Sequence, residues 1–190
     1  MIITITGKPC SGKGTAAKLF CEKYNFEYLC TGDMFRNFAQ KFGYNNILTF
    51  QEQDSRIKEI DKLVDNQTIE IGKTKLNDNI VIDSRLAWHF IPNSFKVFIN
   101  VSDTVAAQRL HEANRETEKT STVEEAVQNL KTRWQIENER YLELYNTNNS
   151  NLNNYDYVID SSNLIPEQIV EKIYENYINF VEKHSKNTSN

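Results

Sequence analysis

Five short apolar runs punctuate the chain, at residues 2–6, 27–30, 80–83, 96–101 and 157–160. Four of them are β-branched or aromatic with no clear polar alternation, the pattern of parallel strands buried on both faces. Stretches with helical spacing of apolar residues lie between them, over roughly 13–24, 32–42, 52–71, 103–113, 122–145 and 166–183. This alternation predicts an α/β layer fold of about five parallel strands with helices on both faces. The gaps are uneven. About 50 residues separate the second and third runs and about 55 the fourth and fifth, where a plain crossover needs about a dozen. Each long gap is therefore expected to hold a helical insertion, at about 31–79 and 114–150, and two such flaps beside one site would act as closing lids. The Asn-rich stretch 146–154 reads as a loop and 184–190 as a frayed, disordered tail. Residues 1–183 are expected to form a single domain.

Composition narrows the class. At 190 residues the chain is about one domain long. Its 22 basic and 26 acidic side chains leave a net charge of −4, which argues against a dedicated nucleic-acid binder. No apolar run approaches the ~18 residues of a membrane span. The apolar opening is too short for a signal peptide and has no basic stretch before it. Three cysteines in no metal-like spacing predict neither a disulfide framework nor a zinc site. The expectation is a soluble, cytoplasmic monomer with small-molecule substrates and no nucleic-acid or membrane partner.

Gly7-Lys8-Pro9-Cys10-Ser11-Gly12-Lys13-Gly14-Thr15 follows the first apolar run and opens the first helical stretch. Gly, four residues, then Gly-Lys is the spacing of a phosphate-binding loop. The glycines let backbone N–H groups turn inward around phosphate oxygens, the helix N-terminus adds positive potential, and the lysine reaches the outer phosphates. All nine residues are candidate ATP contacts; the alternative is a Gly-rich strand-to-helix turn. Lys13, as a charge clamp on a solvent-facing loop, is expected to serve transfer and not folding. Asp83 closes the run Ile80-Val81-Ile82, the place of an acid that holds magnesium or its waters, or of an Asp that caps a turn. Gly14 stands where a hydroxyl residue usually follows the lysine, and Thr15 comes one later. Asp83 and Thr15 are therefore expected to meet the metal through water, with no direct protein ligand. Cys10 reads as a small tolerated residue or as a thiol acidified by the helix N-terminus. Cys21, Cys30, Trp88 and His89 read as core.

Seven of the 22 basic residues are arginine, the side chain suited to a planar, bidentate grip on phosphate. Ligands of an open α/β sheet bind at the carboxyl ends of its strands. Arg36, just after the second run, and Arg85, two residues past Asp83, both belong to that edge. Arg109 lies on the helix after the fourth run, with Arg115 just beyond it, and Arg56 reads as a solvated helix residue. Arg133, Glu137 and Arg140 are spaced i, i+4, i+7, one stripe of a helix. The apolar stripe of Val123, Val127, Leu130, Trp134 and Tyr141 lies about 100° away. That spacing alone fits surface ion pairs and a phosphate-facing row equally; the phosphate loop tips it towards the second.

Together these motifs resemble the nucleoside monophosphate kinases among P-loop kinases, and the archaeal-type and bacterial cytidylate kinases most. GKPCSGKGT looks like their loop, with Gly-Thr after the lysine. Residues 31–36 (TGDMFR) are similar to their acceptor-nucleotide motif, and Asp83-Ser84-Arg85 resembles their Asp-Gly-Arg or Glu-Gly-Arg. The run from Pro92 into Lys96-Val97-Phe98-Ile99 matches, Arg133, Glu137 and Arg140 fit their Arg-x3-Asp-x2-Arg row, and Ile60-Asp61 to Asp65 looks like the archaeal insert. Ser84 replaces the motif glycine, and Leu86 stands where the bacterial enzymes carry an acid. The resemblance covers about residues 1–175. It implies a three-layer P-loop fold with an acceptor flap and a lid, and transfer of the ATP γ-phosphoryl group, with Mg²⁺, to CMP or dCMP. Lys13, Arg36, Asp83, Arg85, Arg133 and Arg140 would be catalytic. Thr31, Gly32, Asp33, Arg36, Arg85, Arg133, Glu137 and Arg140 would surround the acceptor. Arg109 and the backbone near 161–163 would lie against the ATP base. Another nucleotide, a shikimate-like acceptor and a non-catalytic P-loop switch are the alternatives.

Overall fold

A computed structural model describes residues 1–43, 54–75, 78–112 and 122–187. The strands are β1 (Ile2–Gly7), β2 (Glu27–Cys30), β3 (Ile80–Asp83), β4 (Phe95–Asn100) and β5 (Tyr157–Asp160). They form one parallel sheet in the order β2-β3-β1-β4-β5. The helices are α1 (Lys13–Tyr24), α2 (Thr31–Lys41), α3 (Asp54–Thr74), the single turn α4 (Ala87–Phe90), α5 (Asp103–Glu112), α6 (Val123–Tyr145) and α7 (Pro166–Asn187).

Three of the apolar runs, as β1, β3 and β4, become the centre of the sheet because both their faces are covered, while β2 and β5 form its edges and stay partly exposed. Ile3, Ile5, Val97 and Ile99 pack with Ala16, Ala17 and Phe20 of α1 and with Ile169, Val170 and Ile173 of α7. On the other face Ile2, Ile80 and Ile82 meet Ala87 and Ile91. Each of these Ile, Val and Phe side chains contributes about 1.5–3 kcal/mol by leaving water. The apolar stripe of α6 behaves as its period predicts: Val123, Ala126, Val127 and Leu130 pack on Ala106, Ala107 and Leu110 of α5. Trp134 continues the stripe onto Phe98, Trp88 and Tyr155.

Four expectations shift. β4 starts one residue early, because Phe95 pairs with Ile3 and is 1% exposed, while Val101 has already left the sheet. α7 runs through residues 184–187, where a frayed tail was expected, and the His184 ring packs one turn back on Phe180. His89 is exposed, and Cys30 is half-buried at the mouth of β2, so neither fills the core. Arg115 and the start of the expected lid lie outside the described residues, as does the Arg56 side chain.

The first insertion contributes α2 and α3, which pack through Met34, Phe35, Phe38 and Ala39 against Ile60 and Val64. They form a flap beside the edge where β1, β2 and β3 end. The strand order reverses around β1, and the crevice outside the strand ends at such a point is where α/β sheets bind ligands.

Candidate functional site

Strand register assembles the site. Asp83 of β3 pairs with both Ile5 of β1 and Cys30 of β2, so the residues after all three strands leave the sheet together. A Cβ on Gly7 would fall 2.3 Å from the Ile99 carbonyl oxygen and 2.8 Å from Ser11 Oγ. Only glycine lets the loop turn there against β4, where Lys8 N–H donates to Ile99 O at 3.2 Å. Cys10 adopts the left-handed φ of 58°, uncommon for a residue with a side chain, while Pro9 and Ser11 are buried. No side chain caps the start of α1, which leaves its free N–H groups to an anion. The loop thus turns tightly between β1 and α1 and leaves the N-terminal N–H groups of that helix uncapped.

Lys13 Nζ stands 3.2 Å from Asp83 Oδ1, and the Tyr28 hydroxyl donates to Asp83 Oδ2 at 3.2 Å. Burial, aided by the nearby Arg85 charge, lowers the Lys13 pKa from its ordinary value against the pull of Asp83. The Thr31 hydroxyl donates to the Asp83 carbonyl at 3.4 Å. Ser84, in place of the motif glycine, accepts the Leu86 and Ala87 N–H groups on its Oγ at 3.1 Å each and so starts α4.

Arg85 is the hub. Its guanidinium donates to the Gly7 carbonyl, stands 2.9 Å from Glu137 Oε2 and lies over the Trp134 ring. Arg133 Nε donates to the other Glu137 oxygen at 3.1 Å. Burial pushes the Glu137 carboxyl up, but the charges of Arg85, Arg133 and Arg140 more than reverse this, so its pKa lies below the ordinary value. Arg140, a turn further along α6, has its Nε 3.3 Å from Asp61 Oδ2 on α3. Arg36 pairs with Asp33 in its own turn of α2, beside Gly32. Lys13, Arg36, Arg85, Arg133 and Arg140 thus each face a carboxylate.

On the far side of the loop, Arg109 of α5 donates to Ser161 O at 2.8 Å and to Cys10 O at 3.3 Å. Ser161 Oγ donates to Ser11 O at 2.9 Å. The residues expected near the ATP base are therefore brought together. Lys8 instead reaches Asp103 at 3.3 Å, at the start of α5.

Sequence reasoning missed Tyr28, Asp61, Asp65 and Tyr145 as members of this site. Asp61 and Asp65 carried a readable signal: two carboxylates at i, i+4, each directly after a core residue, Ile60 and Val64, of one helix. Tyr28 carried none. The Tyr145 hydroxyl donates to Asp65, yet burial pushes the Asp65 carboxyl up to about 6, with the Asp61 charge adding to it. An unfolded Asp titrates near 3.9, so the folded chain holds this proton more tightly. Asp65 therefore favours folding at low pH, and that contribution is lost as pH rises from about 4 through 6. Asp65→Asn should raise the melting temperature at pH 7 and flatten its decline between pH 4 and 7. Parallel wild-type and variant slopes in a melting series would contradict the assignment.

Residues 2–163 match the model of the cytidylate kinase-like family. A protein of Lacinutrix mariniflava named S-adenosylmethionine-dependent nucleotide dehydratase is 37% identical over 92% of this chain and 35% of its own length. The chain thus spans about a third of that relative. The cytidylate kinase of Sulfurisphaera tokodaii is 32% identical, with 95% of this chain and 97% of that enzyme covered. Among solved structures, a shikimate kinase from Bacteroides thetaiotaomicron has a TM-score of 0.64 at 19% identity, covering 92% of this chain and 97% of its own, a likeness of fold.

Proposed function

Because the chain belongs to the cytidylate kinase-like family and is an ATP-dependent phosphotransferase, we propose that it transfers the ATP γ-phosphoryl group to the phosphate of CMP or dCMP. The observation that carries this reading is Arg85, bonded to the phosphate loop at Gly7 and paired with Glu137 of the Arg133–Glu137–Arg140 row. It sits between a cradle for one polyanion and a cationic row for another, where a phosphoryl group in flight would pass.

The chemistry asks for charge more than for a base. A phosphate monoester with a second pKa near 6 is already largely dianionic at pH 7, so no residue has to remove a proton. Two polyanions must instead approach in line, and fixed cations in a water-poor cleft lower that barrier. Lys13 serves the outer phosphates of ATP, Arg85 the transferred group, and Arg36, Arg133 and Arg140 the acceptor, with Glu137 orienting two of these guanidiniums. Arg109 and Ser161 border the donor base, and the α2–α3 flap sheds water when it closes.

A Cβ at Gly14 would lie 3.1 Å from Asp83 Oδ2, so glycine there leaves space beside that oxygen. Among the described residues no group of three His, Cys, Asp or Glu side chains is placed to hold a metal alone. The residues fit a Mg²⁺ that arrives with the nucleotide, Asp83 and Thr15 holding its waters. When bound it would supply positive charge against the negative charge developing on the nucleotide phosphates.

The test is an ADP-release screen over CMP, dCMP, UMP, AMP, GMP and shikimate. CMP or dCMP should give the highest kcat/KM. Shikimate in the lead would move the chain to another acceptor class, and no release with any acceptor would return it to a nucleotide-binding switch. In the same assay Arg140→Lys should lower kcat/KM for the acceptor about tenfold, ~1.4 kcal/mol, by replacing a planar fork with a point charge. Unchanged kinetics would reduce the row to a solvated helix face.

A further inference from the structure

Three polar bridges join the acceptor flap to α6. Lys58, Asp61 and Asp65 of α3, spaced i, i+3, i+7 along one face, meet Glu143, Arg140 and Tyr145. The middle bridge is badly made. Arg140 Nε and Asp61 Oδ2 lie 3.3 Å apart with side chains 26% and 13% exposed, yet neither atom has a hydrogen-bond partner among the described residues. A buried ion pair offsets the desolvation of its charges only with good geometry and further hydrogen bonds. The neighbouring Arg133–Glu137 pair has an aligned hydrogen bond at 3.1 Å; the Arg140–Asp61 pair has charge attraction alone. Burial also pushes the Asp61 carboxyl up, against the pull of Arg140.

We propose that Asp61 is a displaceable counter-ion for Arg140, neutralising the guanidinium and tying α3 to α6 while the cleft is empty, and yielding it to the phosphate dianion of the acceptor. The inference rests on the phosphoryl-acceptor reading above and adds how that site is kept ready. A phosphate monoester brings up to two charges and three strong acceptor oxygens, and forms the paired N–H···O bonds with Arg that a misaligned carboxylate does not. Without Asp61, Arg140 would keep the Tyr141 hydroxyl and ring as contacts but would have no paired carboxylate for a largely buried charge. Pairing it too well would make the acceptor pay for breaking the pair. A carboxylate held at ion-pair distance without a hydrogen bond avoids both.

The role predicts an unusual sign. If Asp61 competes with the acceptor, removing its charge tightens acceptor binding; if it only positions Arg140 or braces the flap, removal weakens binding. Wild type, Asp61→Asn and Glu143→Gln are compared by calorimetric titration with CMP and by steady-state kinetics at saturating ATP. Glu143→Gln breaks the Lys58 bridge between the same two helices and touches no cation of the site. Asp61→Asn should lower the Kd and KM for CMP by roughly threefold or more, with the KM for ATP unchanged and kcat within about twofold. Glu143→Gln should leave all four values as in wild type. An unchanged or raised CMP Kd in Asp61→Asn overturns the proposal, as does equal tightening in Glu143→Gln. Should Asp61→Asn fail to fold, the Arg140 Nε–H resonance of the wild type is followed during CMP titration. It should shift as Asp61 is exchanged for phosphate, and a resonance unmoved at saturation overturns the exchange. Wild-type protein that phosphorylates no nucleoside monophosphate would instead overturn the function reading itself.

Discussion

Lys13→Ala should lower kcat for phosphoryl transfer at least about a hundredfold, ~2.7 kcal/mol of transition-state stabilisation. The ammonium opens α1 beside Asp83, whereas the other loop lysine, Lys8, reaches Asp103 at the start of α5, so charge developing on the outer phosphates falls to Lys13. Retention of more than about a tenth of the wild-type kcat would remove Lys13 from the machinery. The structure also corrects the expectation that this lysine matters to transfer alone. Its Nζ is the counter-charge, at 3.2 Å, of an Asp83 carboxylate that is 7% exposed. Removing it leaves that buried carboxylate, among the described residues, with the Tyr28 hydroxyl as its side-chain hydrogen-bond donor and should cost about 1–3 kcal/mol of stability. The double variant Lys13→Ala/Asp83→Asn separates the two effects. Its melting temperature should recover towards wild type while its turnover stays lost.

Arg85→Lys should lower kcat/KM for the acceptor by about a hundredfold, again ~2.7 kcal/mol, although the charge is kept. One guanidinium here bonds the Gly7 carbonyl, pairs with Glu137 and lies over Trp134. A lysine supplies a point charge on a flexible stem and cannot hold those directions at once. Glu137 would then lose the fixed guanidinium at 2.9 Å while its bond from Arg133 remains, so the acceptor row should loosen with it. The check is the ADP-release assay with CMP varied at saturating ATP. A loss of less than about threefold would show that charge alone, without the planar fork, accounts for the contribution of Arg85.

The strands were legible because a buried parallel strand must be apolar on both faces, which leaves a run such as Ile80-Val81-Ile82 in plain view. The glycine spacing of residues 7–13 was legible as a phosphate-binding pattern because backbone N–H groups would do that work and only a fixed glycine spacing lets them. The Arg133–Glu137–Arg140 stripe was legible as a stripe, since 3.6 residues per turn puts those side chains on one side of α6. All of these are properties of neighbouring residues, so the order of amino acids alone determined them. Which carboxylate each cation takes is a different kind of fact. Arg85 and Glu137 are separated by 52 positions and Tyr145 and Asp65 by 80, and nothing in one segment names its partner in the other. The spacing of the row left surface pairs and a phosphate-facing cluster equal. Docking of α6 on β4 and α4, through Trp134 on Phe98 and Trp88, brought Glu137 to Arg85. Packing of α3 on α2 through Ile60 and Val64 turned Asp61 towards Arg140. Local periodicity decides which side of a helix is polar. Only the burial of the opposite, apolar side decides what that polar side faces, because the dominant packing free energy sets the docking and the weaker charge pairs take the partners it leaves within reach.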